Sequence, residues 1–138
     1  MKTYIQEAFQ DHLSLCTSLK AAYPMFDWVG FYWMNDDILT LELGAYAGEA
    51  TEHTRIPYGK GICGQVAESG TTFVVPDVHA QDNYLACSLS VQSEIVIPIY
   101  KEGVLIGQLD IDSHQKDAFP KEIVAALEAF CLQVAESL

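Results

Sequence analysis

Ile5, Phe9, Leu13, Cys16 and Leu19 fall at helical spacing with polar residues between them, which predicts an amphipathic first helix over residues 3–20, ended before Pro24. Trp28–Met34 and Ile38–Leu43 flank Asn35, Asp36 and Asp37 and read as a β-hairpin. Gly59-Lys60-Gly61 interrupts the chain ahead of a short helix over 62–69, which Gly70 is placed to stop. Phe73–Val75 reads as a brief strand closed by Pro76, and Glu94–Tyr100 with Val104–Asp112 as a second, strongly apolar hairpin joined through Lys101-Glu102-Gly103. Pro120, suited to a first helical turn, opens a closing helix whose apolar stripe is Ile123, Leu127, Cys131 and Val134. Helix, hairpin, short helix, hairpin and helix predict an antiparallel β-sheet flanked by α-helices, an α+β domain. No repeat, linker or low-complexity tract divides residues 1–138, so a single domain is expected. Residues 76–93 carry no clear periodicity, and a loop of that length in a compact domain is usually functional; this one contains Cys87.

Composition narrows the classes. A chain of 138 residues, half of them apolar, can bury a core without metals or covalent staples. Seven Lys and Arg against nineteen Asp and Glu give a net charge of −12, a field that repels phosphate backbones and anionic membrane surfaces. No nucleic-acid or membrane partner is therefore expected. No apolar run approaches the roughly 18 residues of a membrane span, and the N-terminus lacks a signal-peptide core, which points to the cytoplasm. Cys16, Cys63, Cys87 and Cys131 show no CxxC spacing, an argument against a zinc site or a secreted disulfide framework. No metal or cofactor is expected, and a disulfide here would be catalytic or redox-sensing.

Candidate chemistry sits in a few places. Cys16 and Cys131 lie on the apolar stripes of their helices, where a thiol behaves as a small hydrophobe. Cys63 follows Gly-Lys-Gly at a helix start, where free N–H groups and Lys60 would favour thiolate; a small residue needed for tight loop packing explains it equally well. Cys87 lies on no amphipathic face, so it is either a reactive or an incidental loop thiol. On the last strand Gln108, Asp110 and Asp112 share one face and Leu109 and Ile111 the other. That acidic face is either merely solvated or, with Glu94 on the neighbouring strand, a carboxyl cluster able to hold a proton or a ligand ammonium. Trp28 and Tyr32, on one face of a strand, either wall a small pocket or pack in the core.

Several runs resemble a known family: Asp27-Trp28-Val29-Gly30-Phe31-Tyr32, Arg55-Ile56-Pro57-Tyr58-Gly59-Lys60-Gly61-Ile62-Cys63-Gly64, Pro76-Asp77-Val78-His79, Cys87 followed by Ser93-Glu94-Ile95-Val96-Ile97-Pro98, and Gly107-Gln108-Leu109-Asp110-Ile111-Asp112-Ser113. Together these are similar to the free methionine-(R)-sulfoxide reductases, a GAF-domain enzyme family, over nearly the whole chain. The resemblance implies that Cys87 attacks the sulfoxide sulfur, becomes a sulfenic acid and releases methionine. A second cysteine would then form a disulfide that thioredoxin reduces. It implies that Glu94 and Asp112 hold and protonate the sulfoxide oxygen, that Asp110 and Asp112 anchor the substrate ammonium, and that Trp28 and Tyr32 surround the methyl group. A homodimer is carried as the assembly to test. The family commonly has a further cysteine ten residues before Cys63, where this chain has His53. Resolution would then fall to Cys63, to an external thiol, or to nothing, which would leave a binding module with an enzyme's pocket, and His53 would bind the substrate carboxylate or simply be exposed. The rival reading is a GAF module that binds a small amino acid or related metabolite without turnover.

Overall fold

The computed structural model describes residues 2–82 and 90–138, with side chains from residue 11 onward. Helix α1 spans Lys2–Ala22 and is followed by strands β1 (Trp28–Asn35), β2 (Thr40–Ala47) and β3 (Arg55–Pro57). Helix α2 (Gly61–Ser69) and strand β4 (Phe73–Val75) come next, then β5 (Ser93–Lys101), β6 (Val104–Ser113) and helix α3 (Lys121–Ser137). The strands form one six-stranded sheet in the order β3-β2-β1-β6-β5-β4, each pair antiparallel. The α+β architecture read from the hydrophobic pattern is the one observed.

Alternation along the central strands gives the sheet two different faces. Val29, Phe31 and Trp33 of β1, Ile95, Ile97 and Ile99 of β5, and Leu109 and Ile111 of β6 pack in one cluster with Cys16 of α1 and Leu127, Cys131 and Val134 of α3. The amphipathic stripes of the two long helices therefore cover this face, and Cys16 and Cys131 are core residues, as expected. The opposite parity, Trp28 and Tyr32 of β1 with Val96 of β5, packs with Leu41, Ile56, Val75 and the α2 residues Ile62, Cys63 and Val66. Among the described residues, the short helix and its flanking loops cover this second face, which leaves room for a site.

Three details differ from the expectations. The second hairpin strand runs Thr40–Ala47 rather than Ile38–Leu43, because the chain turns through residues 36–39 with Leu39 at φ 50° and leaves Ile38 and Leu39 exposed. Strand β3 has no counterpart in the sequence reading; three residues ending in a proline are too short for periodicity to register. The long loop contains a 3-10 turn over Val78–Ala80, where the Asp77 carboxylate accepts a hydrogen bond from the His79 N–H at 3.1 Å. Gly70 does stop α2, at φ 68° with its N–H donated to the Val66 carbonyl at 2.8 Å.

Candidate active site

The β-sheet register assembles the site. Asp112 of β6 lies opposite Trp28 of β1 on one side and Glu94 of β5 on the other; Asp110 lies between Gly30 and Val96, and Gln108 beside Tyr32. Residues directly opposite in a ladder share a face, so Trp28, Tyr32, Glu94, Gln108, Asp110 and Asp112 all face α2. The carboxyl groups are not a solvated surface: Glu94 is 4% exposed and Asp110 and Asp112 are each 1% exposed.

Cys63, in the first turn of α2, meets this row. Its carbonyl accepts a hydrogen bond from Gln108 Nε2 at 3.2 Å, and its thiol hydrogen-bonds to Asp110. Asp110 in turn hydrogen-bonds to Glu94, a carboxyl–carboxyl contact that requires a proton between them. Burial pushes the Asp110 carboxyl above its ordinary range. The expectation that the helix start would favour a Cys63 thiolate is overturned. Burial pushes this thiol well up, and Asp110, Glu94 and Asp112 push it further, because a thiolate would add negative charge to an enclosed acidic group.

Aromatic side chains form the adjoining wall. Trp28 stacks on Tyr46 with centroids 5.4 Å apart and lies 6.3 Å from Tyr32, while its indole N–H donates to the Glu49 carbonyl at 3.0 Å. The indole can lie flat here because Gly30 has no side chain; a Cβ there would stand 2.3 Å from Trp28 Cη2. The Tyr32 hydroxyl donates to the His53 carbonyl at 2.7 Å, and the His53 N–H donates to Thr51 Oγ1 at 3.1 Å. Trp28 and Asp112, with Val91, Glu49 and His114, line a cavity of about 340 Å³, large enough for an amino-acid-sized ligand. A second space of about 10 Å³ lies among Tyr32, His53, Lys60, Cys63, Glu94 and Asp110. His53 is half-buried against this space rather than simply exposed, and its charge opposes the rise in the Asp110 pKa.

The structure thus brings together Trp28, Tyr32, Cys63, Glu94, Asp110 and Asp112. Cys87, the expected nucleophile, lies outside the described residues. Sequence reasoning missed Tyr46, which the β1–β2 register brings to Trp28. It also missed the role of Gln108 in holding the Cys63 carbonyl, although Gln108 stood on the same alternating face as the aspartates.

A helix-backed antiparallel sheet with a pocket under its short-helix face is the architecture of a GAF domain, and the family model described as "GAF domain" matches residues 8–138. The structure of the type II free methionine-R-sulfoxide reductase of Thermoplasma acidophilum is 37% identical to the chain, superposes with a TM-score of 0.91, and is matched over 97% of this chain and 94% of that one. That of the free methionine-R-sulfoxide reductase of Neisseria meningitidis, in complex with its substrate, is 34% identical, with a TM-score of 0.88 over 94% of this chain and 76% of that one. The free methionine-R-sulfoxide reductase of Escherichia coli is 37% identical over 112 residues, 81% of this chain and 66% of that protein, so the chain spans about two thirds of that relative's length. The chain belongs to the GAF-domain family, in the branch of the free methionine-R-sulfoxide reductases. Among the described residues no helix is long and apolar enough to cross a membrane.

Proposed function

We propose that this chain reduces free L-methionine-(R)-sulfoxide to L-methionine in the cytoplasm. The observation that carries the reading is the buried row of Glu94, Asp110 and Asp112 beside the aromatic wall of Trp28 and Tyr32 on one sheet face. An enclosed acidic group needs a cation, and the free amino acid supplies an ammonium, while its methyl sulfoxide suits an aromatic surface. Asp110 and Asp112 anchor the ammonium, and Glu94 with Asp112 holds and protonates the sulfoxide oxygen.

Cys87 attacks the sulfur, takes the oxygen as a sulfenic acid and releases methionine. The Cys63 thiol then displaces that oxygen as water, forming a 63–87 disulfide, and a thioredoxin dithiol reduces the pair. The high pKa of Cys63 supports this division of labour, because a thiol kept protonated does not compete with Cys87 for the sulfoxide. The assembly that carries out the reaction is expected to be a homodimer, which light scattering checks.

The test is a thioredoxin-coupled assay on free methionine sulfoxide with R and S epimers supplied separately. NADPH oxidation with the R epimer is expected. Oxidation with neither epimer, while the protein still binds the amino acid, would establish a binding module instead. Mass mapping of substrate-oxidised protein tests the disulfide; a Cys63 that stays reduced while turnover proceeds shows direct reduction of the Cys87 sulfenic acid by an external thiol.

A further inference from the structure

The side chains that the proposed reaction uses on the floor of the site also form a metal-type donor set. The Cys63 sulfur and one carboxylate oxygen each from Glu94 and Asp110 lie within 4.8 Å of one another, and all three residues are buried. They come from α2, β5 and β6, so the fold and not local sequence spacing gathers them. Asp110 adds an independent sign that a cation belongs here: Oδ1 of this 1%-exposed side chain is shielded from solvent and has no hydrogen-bond partner among the described residues. The carboxyl also borders the space of about 10 Å³ shared with Cys63, Glu94 and His53, about the size of a single water or ion.

We propose that this chain binds a borderline-soft divalent cation, Zn²⁺ foremost, through Cys63 Sγ, Glu94 and Asp110, with a water completing the coordination on the side of His53. The ligand types select the metal. A thiolate disfavours Mg²⁺ and Ca²⁺, whereas one sulfur with two carboxylate oxygens suits tetrahedral Zn²⁺ or Co²⁺. Tetrahedral zinc sets such ligand atoms roughly 3.6 Å apart, which compares with the 4.8 Å within which these three atoms lie. On binding, the thiol proton and the proton between Glu94 and Asp110 pass to solvent and no electron moves. The site stands independently of the proposed reaction. If that reaction holds, zinc occupies the thiol that resolves the sulfenic acid and the charge that receives the ammonium, so it inhibits reversibly.

The experiment titrates the full, reduced chain with Co²⁺ and then displaces it with Zn²⁺. A single equivalent of Co²⁺ is expected to give a sulfur-to-cobalt charge-transfer band in the near ultraviolet with the visible bands of a tetrahedral ion. Cys63→Ser removes the charge-transfer band and weakens Zn²⁺ binding by at least about 100-fold; Asp110→Asn and Glu94→Gln keep the band but each weaken binding by at least about tenfold. Cys87→Ser keeps both band and affinity. Absence of a band at stoichiometric Co²⁺ overturns the proposal, as does a band lost in Cys87→Ser and retained in Cys63→Ser. Circular dichroism checks folding; should Cys63→Ser fail to fold, unchanged affinity in Glu94→Gln and Asp110→Asn overturns it equally. These readouts require no turnover, so their failure is distinct from failure of the reductase assay.

Discussion

The two faces of one sheet handle buried polar chemistry in opposite ways. On the helix face, β6 contributes Leu109 and Ile111 to an apolar cluster closed by α1 and α3, and the thiols Cys16 and Cys131 have pKa values pushed up to about 12, chiefly by burial. One residue along the same strand the face reverses, and Gln108, Asp110 and Asp112 sit with Cys63 under the short helix α2. Burial raises the thiol there too, but neighbouring carboxyls raise it further, and a hydrogen bond links it to Asp110, which in turn hydrogen-bonds to Glu94. One face uses burial for stability and the other encloses a concentrated, proton-sharing acidic group suited to a cationic ligand.

Cysteine replacement separates the faces most sharply. Cys87→Ser is expected to abolish turnover, whereas Cys16→Ser and Cys131→Ser keep kcat and lose stability instead, because a hydroxyl replaces a thiol in an apolar setting. With pKa values near 12, these two thiols should also resist iodoacetamide at pH 8 in the native protein. Complete loss of activity in a folded Cys16 or Cys131 variant would assign the nucleophile wrongly.

Neighbouring positions on β6 give the next largest contrast. Asp110→Asn or Asp112→Asn should lower kcat/KM by roughly 30-fold to several thousand-fold, since a buried ammonium left without its charged partner is penalised by about 2–5 kcal/mol. The melting temperature should hold or rise, because a buried carboxyl is relieved of its desolvation. Ile111→Ala, one residue from each on the other face, should cost about 2–5 kcal/mol of stability and leave kcat/KM close to wild type well below the melting point. Equal stability losses at positions 110 and 111 would mean that the acidic row is structural.

Alternation made this division visible before any coordinates: Gln108, Asp110 and Asp112 against Leu109 and Ile111 is a period-two signal, and the helical stripes through Cys16 and Cys131 were equally plain. What the sequence withheld depends on long-range register. Nothing local says that Glu94 pairs with Asp112, that Tyr46 stacks on Trp28, or that a cysteine at a helix start faces three carboxyls rather than open N–H groups. Local electrostatics favoured thiolate, and tertiary burial reversed it. Likewise, the absence of CxxC spacing argues only against metal sites whose ligands are neighbours in sequence. β3 escaped because three residues carry too little pattern, and its pairing at Arg55–Pro57 emerges only once β2 is in place.

A buried histidine breaks the apolar rule of the helix face. His12 of α1 is 2% exposed, tilted against Phe31 at 5.1 Å and stacked on Trp33 at 5.4 Å, with no hydrogen-bond partner among the described residues at either ring nitrogen. Burial lowers its pKa, and the nearby Asp11 charge only partly offsets this. The folded state therefore keeps His12 neutral while the unfolded chain takes up a proton near its ordinary value of 6.5. The stability this group contributes is fully present above that pH and is lost as pH falls through the lowered folded value. His12→Phe should flatten the fall in stability between pH 7 and 5, and gain on the order of 1 kcal/mol at pH 7 by removing unpaired buried nitrogens. Urea melts at the two pH values check this, and an unchanged pH slope would place the acid sensitivity elsewhere.

The smallest expected effect belongs to Tyr32, whose ring lies among the apolar residues of the site face while its hydroxyl, at 2.7 Å, ties down the His53 carbonyl. Tyr32→Phe keeps the ring and removes that donor, so stability should fall by only about 0.5–1.5 kcal/mol. The functional consequence should be selective. The segment carrying Thr51 and His53 borders both cavities, Thr51 the larger and His53 the smaller, so loosening it weakens substrate positioning without touching the thiols or carboxyls. KM is therefore expected to rise by a few-fold, about what 1 kcal/mol allows, with kcat within about twofold of wild type. A fall in kcat with KM unchanged would mean that the hydroxyl acts on the reacting sulfoxide itself, and Tyr32 would then move from the wall of the site into its chemistry.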